Sequence, residues 1–268
     1  MPARAEDSQV RGGVYLCQIG TCVSCGGCCG LYNRANLTRA SLHAILAERT
    51  RDFARVPRTI DAILAFEQER LRIEGADAPM PDFHHCVFVG LIHDDGERVG
   101  CLLHPLARGN QGVDWRGLSF YGGAACKHFF CPTYDELEPR FKRMAREALD
   151  DWYAYGLIIP EHRFLAAVFG LLETALDRAL DPDRDDASLL RSLLLLRLDW
   201  PFGDPARPLG WNFFSTRQTE RPDIPGAETR APCVHAVLRE LGTLPELAGR
   251  AALFLEEKIR DTALSLRG

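Results

Sequence analysis

The sequence predicts a mainly α-helical protein in which a cysteine-rich region with a short β-hairpin packs against a helical carboxyl-terminal half. Three observations predict this fold class. Apolar residues recur at helical spacing in most segments after residue 36. An Asp-Gly pair lies between two short apolar runs, which is the usual signal for a hairpin. Nine of the ten cysteines precede residue 132, and the chain beyond it is dominated by leucine-rich helical patterns.

The amino-terminal elements follow from local patterns. Residues 14–19 form a short apolar run that predicts a strand leading into a cysteine-rich loop. Residues 37–50 predict a helix, with Asn36 or Thr38 as its N-cap. A second helix is predicted to begin at Pro57, because proline is favoured in the first helical turn.

The predicted hairpin carries two cysteines. Its strands are residues 86–92 and 98–103, on either side of the Asp-Gly turn. Cys86 begins the first strand and Cys101 lies in the returning one, so the two should lie close together and face the cysteine-rich loop. The glycine-rich residues 107–125 are expected to form an ordered loop.

The remaining helices are marked by their starts. Residues 134–155 predict one helix, with Thr133 as N-cap and Glu136 completing a capping box. Further helices are predicted at residues 160–180, 186–200, 233–241 and 245–266. Residues 201–232 contain six prolines and several aromatic residues, and a segment this long without regular structure is usually functional or a linker.

The chain is therefore divided into a cysteine-cluster metal-binding region, residues 13–132, and an α-helical region, residues 133–268. At 268 residues it could equally form one continuous domain.

The strongest chemical signal is the run Cys22, Cys25, Cys28 and Cys29, surrounded by glycines. Cysteines that form a disulfide framework are spread through a small secreted domain, whereas these are bunched, as thiolates converging on a metal would be. Glycines allow the close backbone approach that a metal-binding loop needs. Because Cys28 and Cys29 are neighbours, one of them is expected to bind a second ion, to bridge, or to remain free.

The spacing also suits an iron–sulfur cluster. Cys17, Cys22 and Cys25 have the spacing of plant-type ferredoxins, and Cys22, Cys25 and Cys28 that of the first three bacterial ferredoxin ligands. Both patterns cannot use the same cysteines in the same way, so they indicate only that the loop tolerates a cluster. Whether Cys17 is a ligand stays open, as does the choice between iron–sulfur and zinc.

The Cys-x-x-Cys-x-x-Cys-Cys run, followed by Cys86-Val-Phe, Gly100-Cys101 and Cys126-Lys-His-Phe-Phe-Cys131, resembles the YkgJ-type cysteine-cluster family of zinc- or iron-chelating proteins. The resemblance covers residues 17–132, about half of the chain. An Arg-Pro-x-x-Cys element that usually follows the Gly-Cys segment is replaced by an inserted loop. The resemblance implies eight thiolate ligands: Cys22, Cys25, Cys28, Cys29, Cys86, Cys101, Cys126 and Cys131.

Other candidates are weaker. His104 and His128 stand close to cysteines, so either could be an imidazole ligand or could donate a hydrogen bond to sulfur, although most such histidines are ordinary loop residues. Cys233 lies far along the chain at a helix start and is expected to be structural.

Several functions are disfavoured. A net charge of −5 gives no general attraction to nucleic acid. Neither a signal peptide nor a membrane-spanning stretch is predicted, which favours a cytoplasmic protein with reduced thiols. The nucleotide-binding, zincin and hydrolase motifs are absent, as is the usual cysteine spacing of radical S-adenosylmethionine enzymes.

The sequence thus predicts a metal-binding protein that holds an iron–sulfur cluster of the 4Fe–4S type, or iron or zinc ions. One alternative is a cluster-dependent enzyme that modifies a peptide, protein or small molecule by redox chemistry or methyl transfer, with residues 201–232 covering the substrate. A flagellin lysine methylase, which resembles the same family, supports that alternative. The other is an interaction module held together by zinc.

Overall fold

The computed structural model describes residues 4–74, 79, 85–92, 98–204, 224 and 232–268. Within these residues the chain is mainly α-helical with one two-stranded antiparallel sheet, which confirms the predicted fold class. The helices are α1 (Arg39–Phe53), α2 (Ile60–Glu74), α3 (Gly122–His128), α4 (Thr133–Glu136), α5 (Pro139–Ala148), α6 (Trp152–Ile158), α7 (His162–Leu176), α8 (Arg191–Leu195), α9 (Val234–Glu240) and α10 (Ala248–Arg267). The strands are β1 (Val89–Leu91) and β2 (Val99–Cys101).

The first helices form where the sequence predicts them. The Thr38 side chain caps α1 by accepting a hydrogen bond from the Ser41 amide at 3.3 Å. Leu42 and Leu46 of α1 are fully buried, and α1 lies directly against β1. Helix α2 begins three residues after Pro57.

The long helix predicted at residues 134–155 is wrong: three short helices, α4, α5 and α6, occupy this stretch. Pro139 starts α5 after an extended residue, because proline fits the first helical turn but not a helix interior. The predicted capping box is also wrong. Thr133 lies inside α4, and its hydroxyl donates instead to the carbonyl of Ile159 at 2.9 Å.

Two other predictions need correction. Residues 107–125 are not entirely loop, since α3 begins at Gly122. The helix predicted at residues 186–200 is a 3-10 turn, Ala187–Leu190, followed by the short α8. Helices α7, α9 and α10 fall where they were expected. Of the proline-rich residues 201–232, positions 205–223 and 225–231 lie outside the described residues.

The hairpin pairs Val89 with Cys101 and Leu91 with Val99 in antiparallel register. Its predicted turn, residues 93–97, lies outside the described residues. Glycine is required at the central pair of the hairpin, Gly90 and Gly100. A Cβ on Gly100 would lie 2.3 Å from the Ile92 side chain.

Two clusters of buried apolar residues make up the core. The larger is built from helices α5 to α10 together with residues of the amino-terminal segment, such as Val14 and Leu16. The smaller is built from α1, α2 and the hairpin, with Trp152 and Leu157 contributed by α6. Each half of the chain therefore supplies residues to both clusters. The division at residue 132 stays a prediction.

Among the described residues, no single helix has the length and apolarity needed to cross a bilayer. Helices α6 and α7 are long and apolar enough only when they are taken together, and they meet at a bend of 90°.

Candidate metal centre

The segment from residue 17 to residue 25 doubles back on itself. The Cys25 amide donates to the Cys17 carbonyl at 2.9 Å, and Gln18 pairs with Ser24 in an isolated antiparallel bridge. This turn brings Cys17 beside Cys25, although eight positions separate them in sequence.

A 3-10 turn, Gly27–Cys29, then carries the two adjacent cysteines. It ends at Gly30, whose φ of 70° is the left-handed conformation that glycine adopts without steric cost. The Gly30 amide donates back to the Gly27 carbonyl at 2.9 Å and closes the turn. The backbone of residues 17–30 is thus fixed by its own hydrogen bonds and by this glycine.

One set of four cysteines gathers beneath the loop: Cys17, Cys25, Cys28 and Cys131, here called the inner group. Cys131 joins from the end of the cysteine-rich region, two residues before α4. The Leu16 amide donates to the Tyr134 hydroxyl at 2.7 Å, and that hydroxyl lies 3.2 Å from the Cys17 sulfur. The Tyr134 amide in turn donates to the Cys131 carbonyl at 2.9 Å. These contacts hold the two distant segments together.

The second set is assembled by the hairpin: Cys29, Cys86, Cys101 and Cys126, here called the hairpin group. The Cys86 amide donates to the Cys29 carbonyl at 2.8 Å, which ties the hairpin to the loop. The Val99 amide also donates to the buried Ser24 hydroxyl at 2.9 Å. As the sequence predicts, Cys86 and Cys101 come together and adjoin the loop.

The two groups are distinguished by which thiols raise one another's pKa. In the inner group every pair interacts, and each thiolate charge raises the pKa of its neighbours. The same holds for every pair in the hairpin group. Cys28 and Cys29 are adjacent in sequence but belong to different groups. Weaker interactions of Cys29 with Cys25 and Cys28 show that the groups adjoin.

Burial is the main reason that these thiols are poor acids. It raises the pKa of Cys17 to about 11 and that of Cys86 to about 12, and neighbouring thiols add to the effect. It also raises the pKa of Cys28 and Cys29 well above the ordinary value. A cation at either group would therefore displace protons from the thiols that it binds.

The spacing of the thiols bears on what kind of centre they could hold. Among the described residues, no group of three or more His, Cys, Asp or Glu side chains is close enough to hold one metal ion. A tetrahedral zinc site needs each sulfur ~2.3 Å from the same centre. An iron–sulfur cluster is itself several atoms wide, so its four cysteines stand farther apart.

Hydrogen-bond donors surround the sulfurs of the inner group. The Gly27 amide donates to the Cys25 sulfur at 3.3 Å. Because the Tyr134 hydroxyl already accepts from the Leu16 amide, its own proton is available to the Cys17 sulfur. Donors of this kind stabilise thiolates and tune a bound metal centre.

The hairpin group is supported by charged residues. Arg49, which is fully buried, donates to the Cys86 carbonyl at 3.3 Å and bonds the Glu74 carboxylate at 2.8 Å. The Arg116 guanidinium lies near Cys101 and Cys126. Asp114 is the main cause that raises the pKa of Arg116, and the thiolate charges of these two cysteines raise it further. A cation so placed stabilises negative charge on this group.

The two groups differ in access. Cys126 is exposed, whereas Cys131 and Cys86 are buried and the other grouped cysteines are partly buried. Cys126 lies on α3, where residues 124–129 are all exposed. Its sulfur is 3.6 Å from the Ser119 hydroxyl. The hairpin group therefore has one thiol at the surface, and the inner group has none.

Seven of the eight cysteines predicted as ligands belong to these groups. The structure does not place Cys22 in either group. Its sulfur lies 3.5 Å from the Thr21 hydroxyl. Cys17, left open by the sequence, takes the fourth place in the inner group. That Cys22 is a ligand stays a prediction.

The histidines do not join the cysteines. The Nδ1 atom of His104 accepts from the Leu106 amide at 3.1 Å, and His128 is exposed at the end of α3. Neither belongs to a metal-binding set among the described residues. Cys233 is the N-cap residue of α9 and lies outside both groups, in keeping with a structural role.

Sequence reasoning missed two tyrosines. Tyr134, three residues after Cys131, reaches the Cys17 sulfur. Tyr32, three residues after Cys29, has its pKa raised well above the ordinary value by burial and by the charges of Cys25 and Cys29. The only signal for either was an aromatic residue shortly after a cysteine, and that pattern is too common to single them out.

Comparison of the chain with protein-family models, with curated proteins and with solved structures finds no match. The likeness to the YkgJ-type family thus stays an interpretation of the motif.

Proposed function

We propose that this chain is an iron–sulfur protein with two cluster sites, one in each four-cysteine group. The observation that supports this most strongly is the division of eight thiols into two sets of four, with Cys28 and Cys29 assigned to different sets. Four thiolates are the usual ligand set of a [4Fe–4S] cluster. The division also gives the adjacent cysteines a role, since each serves its own site.

Under this proposal the inner group, Cys17, Cys25, Cys28 and Cys131, and the hairpin group, Cys29, Cys86, Cys101 and Cys126, each hold one cluster. Such clusters supply one-electron transfer when bound. The protein fixes the thiols on short turns, donates amide hydrogens to sulfur, and places the Arg116 cation beside the hairpin group. Its function is then to accept and pass electrons.

We place this function in a reducing compartment, the cytoplasm. No disulfide joins any of the ten cysteines, all of which lie within the described residues. In an oxidising compartment neighbouring thiols of this kind would be oxidised before they could be loaded.

Metal analysis of anaerobically purified protein tests the proposal. We expect about eight irons and as many sulfides per chain, as two [4Fe–4S] clusters require. Cys131→Ser and Cys86→Ser should each remove about half of the iron, and the double variant nearly all of it. Cys233→Ser is the matched control and should keep full occupancy.

Two results would contradict the proposal. Well-folded protein that carries zinc without sulfide, or no metal, would refute the iron–sulfur assignment. A single variant such as Cys86→Ser that abolished all iron would refute two separate sites.

A second candidate, a cluster-dependent enzyme acting on a peptide, protein or small molecule, is favoured by the exposure of Cys126. An enzyme needs one metal position open to a ligand, whereas electron transfer does not. Cyanide or S-adenosylmethionine should then change the electron paramagnetic resonance (EPR) signal lost in Cys86→Ser and leave the one lost in Cys131→Ser unaltered. If neither signal responds, the enzyme candidate is rejected. The aromatic residues 211–214, predicted to cover such a site, lie outside the described residues.

A further inference from the structure

Apolar side chains at the surface surround Cys126, the exposed thiol of the hairpin group. Leu106 is 88% exposed, Phe120 is 66% exposed and Val113 is 47% exposed. A single exposed apolar side chain is common and needs no explanation. Several of them around one thiol form a patch, and patches of this kind mark interaction sites.

Contacts within the chain bring the patch to the edge of the hairpin group. Helix α3, which carries Cys126, packs on the 3-10 turn Arg116–Leu118. The Ser119 hydroxyl, at the end of that turn, lies 3.6 Å from the Cys126 sulfur. Phe120 follows directly, so its ring lies beside the exposed thiol.

The loop before this turn reaches the same face. The Asp114 carboxylate lies 2.8 Å from the Lys127 ammonium of α3, which places the adjacent Val113 at the edge of the patch. The Gly112 amide donates to the Pro105 carbonyl at 3.2 Å. This bond closes a loop that carries the exposed leucine of the patch back towards Val113.

The face also carries more cations than carboxylates. Residues 104–130 contain Arg108, Arg116 and Lys127 but only one acidic residue, Asp114, whereas the whole chain has a net charge of −5. Arg108 is exposed, and the Lys127 side chain is 46% exposed. The one carboxylate is shared between Arg116 and Lys127. A partner with acidic groups around an apolar centre complements this face.

Resting on the two-cluster function proposed above, we propose that this surface, here called the Cys126 face, docks an acidic one-electron redox protein. The Cys126 face consists of Leu106, Arg108, Val113, Phe120, Cys126 and Lys127. Cys126 is the thiol of the hairpin group that reaches the surface, so electrons of that group can leave there. One electron leaves the reduced hairpin group and reduces the partner's oxidised centre, while no bond forms or breaks and no proton moves.

Two small oxidants of opposite charge test the charge of the face. Loaded, reduced protein is mixed with ferricyanide at low salt, and rapid-freeze EPR follows the signal that is lost in Cys86→Ser. We expect Lys127→Glu to be oxidised about tenfold more slowly than wild type, because opposite charges raise the encounter rate. The cationic tris(phenanthroline)cobalt(III) should oxidise the same variant faster than wild type. About 1 M salt should remove both differences, since charges are then screened beyond ~3 Å.

Two further variants frame this result. Arg108→Glu should slow ferricyanide as Lys127→Glu does, while it leaves the pair between Lys127 and Asp114 in place. Lys258→Glu changes an exposed lysine of α10 and should leave both rates unaltered. All three variants should keep full iron and sulfide.

A plant-type ferredoxin, chosen for its acidic surface, tests the docking of a protein. Its binding to loaded protein is measured by isothermal titration calorimetry at low salt. Leu106→Ser should weaken binding about tenfold but leave the ferricyanide rate unchanged, because it removes apolar contact area and no charge. Lys127→Glu should weaken binding and lower that rate as well. Leu253→Ser is the control, since Leu253 is 70% exposed on α10, and it should change neither.

The outcomes separate the two proposals. If wild-type protein holds no iron and sulfide, the two-cluster function fails. If loaded protein does not bind the ferredoxin, or if Lys127→Glu and Lys258→Glu are oxidised by ferricyanide at equal rates, the docking face is refuted while the clusters stand. Loaded protein that sediments as a dimer, and that Leu106→Ser converts to a monomer, would also overturn the inference, because a second copy of the chain would then cover the face.

Discussion

Glu74 shows how one buried carboxylate holds a cysteine in place. It accepts hydrogen bonds from Arg34, Arg49 and Arg70, and its side chain is only 3% exposed. Burial alone would raise the pKa of Glu74, but the guanidinium groups outweigh it and hold the pKa at about 2. Arg49 in turn bonds the Cys86 carbonyl, so this network supports the hairpin group.

We expect Glu74→Gln to lose about 3 kcal/mol of unfolding free energy at pH 7, because it leaves Arg49 buried without its counter-charge. The depressed pKa means that this stabilisation is complete above about pH 4.5, the ordinary glutamate value, and is lost as the pH falls towards 2. Urea unfolding between pH 7 and pH 3 should show a smaller loss of stability in the variant.

Glu69→Gln is the matched control. Glu69 pairs with Arg72 on the surface of α2, where both side chains are more than half exposed. Exposed pairs contribute little, so this variant should follow the wild type. Equal acid sensitivity of Glu74→Gln and wild-type protein would contradict the role assigned to the network.

Gly156 is a residue whose side chain must be absent. Its substitution by alanine forces the Tyr32 hydroxyl away from a Cβ that would lie 1.7 Å from it. We expect Gly156→Ala to cost about 1–3 kcal/mol, the usual price of overpacking. Thermal unfolding of the metal-free protein measures this loss.

Gly249→Ala is its control, because Gly249 also lies in a helix but has open space around it. That variant should be neutral or slightly more stable, since alanine is the better helix former by about 1 kcal/mol. If both variants behaved alike, the close approach at Gly156 would have no energetic consequence.

Among the secondary-structure elements, α6 matters most to the inner group, because its backbone approaches the Cys25 sulfur and the Tyr32 hydroxyl. Helix α6 starts at a well-defined cap. The Asp151 carboxylate accepts from the Tyr153 and Ala154 amides at 2.8 and 2.9 Å and pairs with Arg39.

Asp151→Ala should therefore destabilise the protein by about 1–2 kcal/mol, the sum of a lost cap and a partly exposed ion pair. Urea unfolding measures the change. The neighbouring Asp150 is exposed and forms no part of the cap, so Asp150→Ala should cost under about 0.5 kcal/mol. An equal loss in the two variants would show that the cap does not stabilise α6.

At the scale of the whole molecule, the two cysteine groups lie where the two core clusters meet. Cys131 belongs to the larger cluster and Cys86 to the smaller, and the bond between the Cys86 amide and Cys29 joins hairpin and loop. The inner group packs with the larger cluster and the hairpin group with the smaller, and metal bound at either would stabilise the fold, because binding to the native state alone adds to the unfolding free energy.

Removal of metal by a chelator under reducing conditions should therefore lower the melting temperature of the whole protein in one transition. Cys86→Ser and Cys131→Ser, each losing one site, should melt between the loaded and stripped forms. Differential scanning calorimetry measures this. A stripped protein as stable as the loaded one would mean that loading and folding are not coupled.

Local signals in the sequence determined most of the secondary structure. The apolar stripe and the Thr38 cap are sufficient for α1, and the short apolar runs around an Asp-Gly pair for the hairpin. These features depend on residues a few positions apart, so pattern and propensity suffice. The prediction of a single helix at residues 134–155 was wrong because it too relied on local pattern alone. Its apolar pattern runs on through Pro139 and Asp151, which start new helices.

The sequence by itself also determined that the cysteines come together. The close spacing of the first cysteines and the position of Cys86 and Cys101 in the predicted hairpin can both be read from the sequence. Only the tertiary structure decided how they divide. The arrival of Cys131 depends on contacts of Tyr134 with Leu16 and Cys17, which lie over a hundred residues away in sequence. The folding of Cys17 back onto Cys25, and the separation of Cys28 from Cys29, depend on backbone bonds of the loop to itself and to the hairpin. Tyr32 and Gly156 were invisible for the same reason: what makes them matter is a close approach between a loop and a helix, and no local pattern records the distance between two such segments.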